Sequence, residues 1–353
     1  MAQPSIATSD LSSYYESRQH ALEDFWGRRA ADPSCRRKFT LFGLHIDLAS
    51  NVEELLAAVD YSLPLYSRAA PTEGPQLTVE LIARQSPIDV GPAPDNLIQH
   101  VQYAGHGAWL AMQFGAWGHC QADLAHGHAR AILTPALAAR PDLVSAWLLN
   151  TLFNNFFTFH GFAMLHASCV LEDGRALLLL APHNRGKSTT VLRLVLNGYR
   201  LLSDSQVYLL GTDRGLQLTG FPVGRVKLRQ DRVDEFPDLR PLLIPEQVRG
   251  ETKYVLDMRQ VDAHKVCEEA VLPERIEFCL LTRHDHMETK LRRASREEVL
   301  KAAFENSLHY DTKSAWEQNL RLIGQLVDRA RLHHLTIGGR PDEILSAIAS
   351  LWD

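Results

Sequence analysis

A short run of residues near the middle of the chain has the composition of a phosphate-binding loop. It consists of Asn184, Arg185, Gly186, Lys187, Ser188 and Thr189. In such a loop the backbone N–H groups point at one small volume, where the dipole of the following helix adds about half a positive charge. A phosphate chain fits this volume, with Lys187 beside the outer phosphates and the Ser188 hydroxyl as a ligand of Mg²⁺. The run therefore predicts a site for ATP, or another nucleoside triphosphate, with Mg²⁺.

The residues on either side of this run have the pattern that the site requires. Residues 176–180 form a short apolar run that stops at Ala181 and Pro182, as a buried central strand does. After the loop, apolar residues recur at helical spacing up to Leu196, and an Asn-Gly pair then supplies a stop signal. The Gly-Lys-Ser tripeptide alone is a weak signal, whereas strand, loop and helix in this order indicate a Walker A sequence.

Two candidate catalytic residues lie outside the loop. Asp204 follows the next predicted strand, residues 199–202, where its carboxylate would lie beside the metal and the γ-phosphate. With Ser188 it forms the predicted Mg²⁺ site, and it is also the candidate to accept the proton of an acceptor hydroxyl. The second candidate is His166, on the predicted strand before the loop. Burial in the core is the alternative that stays open for His166, and a turn or capping role is the alternative for Asp204.

A basic segment follows farther along the chain. Arg225, Lys227 and Arg229 alternate along a predicted strand, which places their side chains on one face. These cations would bind an anionic phosphate or guide an acidic peptide. Solvation at the protein surface is the alternative explanation for the same pattern.

These segments together resemble a known family. The motif LHAS from Leu165, the Gly-Lys-Ser loop, the motif LLSDS and residues 222–229 are similar to segments of HPr kinase/phosphorylase-related proteins. The resemblance covers about residues 160–340. It implies a P-loop fold shared with phosphoenolpyruvate carboxykinases. It also implies transfer of the γ-phosphate of a nucleotide to a hydroxyl, either a serine of a peptide or protein or a small metabolite.

The same resemblance assigns roles to individual residues. His166 takes the place of the family histidine on the strand before the loop, where it would orient Asp204 or tune its pKa. Asp204 matches the first carboxylate of an Asp-Asp pair, but the second position is Ser205, and the first loop glycine is replaced by Ala181. These two departures support an alternative function, a catalytically weak or inactive nucleotide-binding protein that regulates or recruits a partner.

Composition limits the other classes of function. The net charge of −5 argues against nucleic-acid binding, which requires a basic face. Five cysteines, odd in number and without CxxC spacing, suit a reducing cytoplasm. Three asparagines in the apolar helix predicted at residues 143–159 argue against a membrane span. The sequence leaves the oligomeric state open, including a homo-oligomer.

The order of predicted elements indicates an α/β (α+β) chain of two domains. Residues 1–160 would form a β-rich α+β domain that positions the acceptor or binds a partner, after a polar leader and short helix in residues 1–30. Residues 161–353 would form the HPr-kinase-like nucleotide-binding domain around a mixed central sheet. The main predicted strands lie at residues 77–83, 97–103, 108–114, 119–124, 128–133, 166–171, 253–256, 276–282 and 333–337. Residues 237–249 are predicted to be a loop.

Overall fold

Alternating and apolar runs fold into four β-sheets in the described part of the chain, with helices packed against them. The computed structural model describes residues 33–61, 74–86, 88–182, 184–248, 251–284, 288–307 and 313–352. The leader predicted in residues 1–30 lies outside these residues. Parallel and antiparallel strand pairs both occur, which agrees with the predicted mixed α/β class. The two-domain division and the P-loop assignment stay predictions.

The first half of the chain builds a seven-stranded sheet. Its strands are β1 (Cys35–Leu41), β2 (Leu44–Ser50), β3 (Gln76–Ala83), β4 (Val101–His106), β5 (Trp109–Phe114), β6 (Gly118–Asp123) and β7 (His128–Leu133). They are arranged in the order β1-β2-β3-β7-β6-β5-β4. The strand predicted at residues 97–103 is wrong in its first half. Leu97–His100 is a 3₁₀ helix that buries Leu97, and β4 begins where Val101 pairs with Phe114.

Helical segments cover this sheet and lead into the second half. Their bounds are α1 (Glu53–Leu56), a 3₁₀ helix (Ala57–Tyr61), α2 (Pro135–Ala138), α3 (Pro141–Leu143), a π-helical segment (Val144–Leu149) and α4 (Asn150–Phe159). The helix predicted at residues 143–159 is therefore present, with a π-helical first part. Three of its aromatic side chains, Phe153, Phe156 and Phe157, are fully buried.

Twelve strands follow in the described second half. They are β8 (Ala163–Leu165), β9 (Ser168–Glu172), β10 (Arg175–Leu180), β11 (Arg200–Ser203), β12 (Gln206–Thr212), β13 (Gly215–Phe221), β14 (Arg225–Arg229), β15 (Ile244–Val248), β16 (Glu251–Asp257), β17 (Arg275–Arg283), β18 (Lys290–Arg293) and β19 (Arg331–Ile337). The six-stranded central sheet has the order β11-β9-β10-β17-β19-β18. Within it β10, β17 and β19 are parallel, so their carboxyl ends meet at one edge.

Two smaller sheets, five α-helices and three 3₁₀ helices (Gln230–Glu235, Pro237–Leu242 and Ala263–Lys265) complete the described second half. The α-helices are α5 (Lys187–Leu196), α6 (Met258–Asp262), α7 (Arg296–Glu305), α8 (Lys313–Arg329) and α9 (Pro341–Ala349). The small sheets have the orders β13-β12-β8 and β14-β16-β15. The prediction of a loop at residues 237–249 is wrong, because this segment contains a 3₁₀ helix (Pro237–Leu242) and β15. Pro245 is tolerated in β15 because that strand is at the edge of its sheet.

The strand predicted at residues 166–171 also differs from the structure. β8 pairs with β12 in a small sheet, whereas β9 pairs with β10 and β11 in the central sheet. The chain crosses between the two sheets at His166 and Ala167, so His166 lies in a connection and β9 begins at Ser168. A hairpin turn at Asp173 and Gly174 joins β9 to β10, and both residues have positive φ, 44° and 76°.

Hydrophobic packing joins the two halves of the chain. One cluster of buried side chains from the first half also includes Met164, Tyr208 and Phe221 from the second. Two further clusters contain the buried side chains of the central sheet and of the helices packed against it. Among the described residues, no helix is both long enough and apolar enough to cross a membrane.

Candidate nucleotide-binding cleft

The predicted strand, loop and helix are present around Gly186. β10 ends at Leu180, and α5 begins at Lys187, with Gly186 as its N-terminal capping residue. Gly186 has a left-handed backbone with φ +95°, and its carbonyl accepts the first helical bond from the N–H of Thr190 at 2.9 Å. A Cβ atom here would lie 2.8 Å from Cδ1 of Ile337 at the end of β19. Glycine is therefore favoured by the backbone conformation, and a Cβ atom would also require the end of the Ile337 side chain to move.

We expect Gly186→Ala to lower the free energy of unfolding by about 1–3 kcal/mol through backbone strain, with a further loss from the clash with Ile337. Gly198→Ala is the matched control, because Gly198 also has positive φ, +106°, but a Cβ there meets open space. Urea unfolding of both variants measures the difference. An equal loss in the two variants would show that the approach of Ile337 has no energetic cost.

The Lys187 ammonium group folds back over its own loop. It donates to the carbonyl oxygen of Ala181 and lies 3.4 Å from that of Pro182. Burial lowers the pKa of Lys187, and the nearby carboxylate of Asp204 partly offsets this effect. The cation is thus held by neutral carbonyl groups, which phosphate oxygens could replace as stronger, charge-assisted acceptors.

Asp204 is the best-connected carboxylate in the cleft. It follows β11 directly and is only 4% exposed. Its Oδ1 lies 3.1 Å from the Ser168 hydroxyl, its Oδ2 accepts the main-chain N–H of Lys227 at 3.1 Å, and the Ser188 hydroxyl also donates to it. Burial raises the pKa of Asp204 to about 6, although these donors and the Lys187 charge oppose the rise.

The oxygen pair of Ser188 and Asp204 fits a hard divalent cation. A hydroxyl from the loop and a carboxylate from the neighbouring strand are the oxygen ligands that Mg²⁺ takes from a protein when phosphates supply others. The described residues contain no cluster of three or more His, Cys, Asp or Glu side chains that could hold a metal by themselves. Mg²⁺ would therefore depend on phosphate oxygens as well as on this pair.

These residues line a cleft of about 530 Å³ at the carboxyl ends of β10 and β17. The predicted site residues that the structure brings together here are His166, Asn184, Arg185, Gly186, Lys187, Ser188, Thr189, Asp204, Lys227 and Arg229. Across its described lining the cleft has seven Lys or Arg side chains and three carboxylates. This excess of cations in a chain of net charge −5 favours a polyanionic ligand.

Arg225 is not brought into the cleft. The predicted alternation on β14 is present, because Val226 and Leu228 are buried between the basic residues. The Arg225 guanidinium instead forms an ion pair with Glu246 at 2.5 Å, donates to the main-chain carbonyl of Tyr61 and lies 5.8 Å from the centre of its ring. Glu246 also lies 3.3 Å from Lys227 Nζ. A substrate-binding role for Arg225 stays a prediction.

Several cleft residues are missing from the sequence-based prediction. Ser168 holds Asp204, and Lys253 and Arg283 line the cleft with Arg232. Arg283 ends β17, whose parallel pairing with β10 brings it to the edge where the loop lies. Lys253 is the cross-strand partner of Arg229. Only the pairing of strands that are distant in sequence reveals these positions.

The chain is distantly similar in fold to a protein of known structure. A scan against protein-family models finds no match, and a search of curated proteins finds none either. Among solved structures, the chain is similar to the HPr(Ser) kinase/phosphatase from Coxiella burnetii, with 11% sequence identity and a TM-score of 0.28. The similarity covers 54% of this chain and 95% of that chain.

Proposed function

We propose that the cleft binds a nucleoside triphosphate, preferentially ATP, with Mg²⁺, and transfers the γ-phosphate to a hydroxyl group. The acceptor would be a serine of a peptide or protein, or a small hydroxyl metabolite. The observation that carries this proposal is the placement of the buried Asp204 carboxylate against the loop hydroxyl of Ser188, within a cleft rich in cations. Loop, cation and carboxylate are the components that phosphoryl transfer requires.

In the binding step, the loop amides and Lys187 would hold the phosphate chain. Lys187 would exchange the carbonyl oxygens of Ala181 and Pro182 for phosphate oxygens. Lys227 and Arg229 would neutralise further charge from β14, the strand that also holds Asp204 through a main-chain N–H. Ser188 and Asp204 would hold Mg²⁺, which when bound neutralises charge on the phosphate oxygens.

In the chemical step, the acceptor oxygen attacks the γ-phosphorus and the bond to the bridging β–γ oxygen breaks. A phosphate ester and a nucleoside diphosphate result. The hydroxyl proton passes to the Asp204 carboxylate, which acts as the general base. His166 lines the same cleft and would orient the acceptor or the carboxylate.

The proposal also includes a cytoplasmic location and a role for residues 1–160. All five cysteines are free thiols, four of them buried, as suits the proposed cytoplasmic location. Residues 1–160 would help to position the acceptor, because the Tyr61 carbonyl contacts Arg225 on β14 beside the cleft. No nucleic-acid or membrane partner is proposed, and a homo-oligomer would be compatible with this activity.

A second candidate function is nucleotide binding without efficient turnover. Ser205, which lines the cleft next to Asp204, supplies no second carboxylate for the metal. The Lys187 ammonium group also donates to a carbonyl of its own loop, the Ala181 carbonyl, and does not point away from that loop. A protein of this kind would bind the nucleotide and regulate or recruit a partner. Binding without transfer to any hydroxyl acceptor distinguishes it from the kinase.

Lys187→Ala tests the phosphate-binding loop. We expect the affinity for Mg-ATP to fall about 10–100-fold, because charge-assisted hydrogen bonds contribute about 1.5–3 kcal/mol each. Isothermal titration calorimetry of the purified chain measures the change. Lys265→Ala is the control, since the Lys265 ammonium group lies at the surface beside the Leu196 carbonyl. Unchanged affinity in Lys187→Ala would show that the loop is not the phosphate site.

The raised pKa of Asp204 predicts a pH dependence of activity. The carboxylate form is present above about pH 6 and is lost as the pH falls through that value, so kcat/KM should fall below pH 6. The folded state also binds the proton more tightly than the unfolded state, so the contribution of Asp204 to stability decreases as the pH rises toward 6. A carboxyl ¹³C titration by NMR, compared with Asp204→Asn, measures the pKa. An Asp204 pKa near 4 would contradict the assignment of a raised pKa to this carboxyl group.

A further inference from the structure

A second cavity lies at the opposite end of the central strands. It has a volume of about 630 Å³, within the range of small-molecule sites. This cavity, here called the basic pocket, is lined by the ionisable side chains of Arg275, Glu277, Arg293, Arg331 and His333. Arg275 and Glu277 belong to the first half of β17, whereas Arg283 at the end of that strand lines the nucleotide cleft. The two cavities are therefore separate.

The floor of the basic pocket is a buried, neutralised carboxylate. Glu277 is fully buried, and its two oxygens lie 2.6 Å from Nε2 of His333 and 2.6 Å from Nε of Arg275. Arg275 also donates to the main-chain carbonyls of Leu351 and Trp352. Because two donors already satisfy this carboxylate, it presents little negative charge to a ligand above it.

The wall of the basic pocket concentrates positive charge. Arg293 on β18 is the cross-strand partner of His333 on β19. Arg331 is also on β19, two residues before His333, so Arg331 and His333 are on the same face of the sheet. Both arginines are exposed, and within the described residues neither forms an ion pair. Because the direct partner of Arg293 is His333, Arg293 and Arg331 are diagonal neighbours across the strand pair, within reach of each other's long side chains, and their like charges repel each other weakly. An anion between the two guanidinium groups would remove this repulsion and gain forked, charge-assisted hydrogen bonds.

We propose that the basic pocket binds a small oxyanion, a carboxylate or phosphate group, between Arg293 and Arg331. The fixed fork of a guanidinium group matches two oxygens of such a group. His333 lies below them with Nε2 committed to Glu277, so Nδ1 is the ring nitrogen left to face the ligand. Leu291 and Leu351 also line the cavity and would contact an apolar part of an organic anion. This site does not depend on the proposed kinase activity.

Histidine NMR of the full chain tests the proposal at the pocket itself. The His333 imidazole signal is identified by its loss in His333→Gln. Inorganic phosphate and citrate are then titrated separately, with KCl at equal ionic strength as the reference. We expect a saturable shift of the His333 signal with at least one of the two anions and none with KCl. Saturation by phosphate alone or citrate alone identifies the group that is bound.

Variants then assign the binding to the two arginines. The double variant Arg293→Gln, Arg331→Gln should weaken binding at least tenfold, and the double Lys variant, which keeps the charge but loses the forks, should be intermediate. Arg292→Gln is the matched control, because the nearest carboxylate to Arg292 is Glu298 at 4.0 Å. Unchanged signals from the other histidines show that each variant is folded. A shift that follows ionic strength alone, or that persists in the Gln double variant, would overturn the proposal.

Discussion

Replacement of Asp204 by asparagine is expected to lower the rate of phosphoryl transfer by about 10²–10⁴-fold, the usual contribution of a positioned general base. The affinity for the nucleotide should change much less, because the loop amides and Lys187 remain. Transfer of labelled phosphate from Mg-ATP to a panel of hydroxyl acceptors, and slow hydrolysis with water as acceptor, measure the rate. Calorimetry measures the affinity.

The hydrogen bonds of Asp204 make controls for folding stability necessary in this experiment. An asparagine amide would face donors from Ser188 and the Lys227 N–H, so we also expect a loss of stability of about 1–3 kcal/mol, the cost of unsatisfied buried groups. Urea unfolding separates this effect from the loss of rate. Asp231→Asn is the matched control, since Asp231 lines the cleft but is half-exposed and paired with Arg229. If both variants keep full transfer, Asp204 is not the base.

The second large effect is expected in the packing between the two halves of the chain. Phe157→Ala should lower the free energy of unfolding by about 3–5 kcal/mol, because it removes a fully buried ring and leaves a cavity. The Phe157 ring lies 5.5 Å from Phe42, 5.3 Å from Tyr208 and 5.7 Å from Phe221, measured between ring centroids. It therefore contacts side chains from the turn between β1 and β2 and from β12 and β13.

Urea unfolding followed by tryptophan fluorescence and by circular dichroism measures this loss. Phe159→Ala is the control, because Phe159 is in the same helix but 41% exposed, and a change below about 1 kcal/mol is expected there. If the two halves depend on this shared packing, both signals will shift together in Phe157→Ala. Two separate transitions, with the second unchanged, would indicate that the halves fold independently.

The sequence predicts the features that depend on neighbouring residues. The apolar run of β10, the glycine at position 186 and the amphipathic α5 are adjacent in the chain, so their order alone indicates a strand, a turn and a helix. The alternation along β14 is predicted for the same reason, since it is a local backbone pattern. Asp204 is found because it directly follows a strand.

The features that the sequence misses depend on which distant strands pair. Arg225, Lys227 and Arg229 have the same spacing, yet Glu246 on β15 and the Tyr61 carbonyl hold Arg225 outside the cleft. His166 continues an apolar run, yet it lies in a connection because β8 and β9 belong to different sheets.

Local residue patterns predict the phosphate loop at Gly186, Lys187 and Ser188 and place Asp204 directly after the next strand. The tertiary structure decided the raised pKa of Asp204, because the burial that raises it requires three strands to meet, although the Ser168 hydroxyl and the Lys227 N–H on two of these strands oppose the rise. It also decided which cations surround the cleft and which form the basic pocket. Local patterns fix backbone conformation, whereas the surroundings of a charge depend on long-range strand pairing.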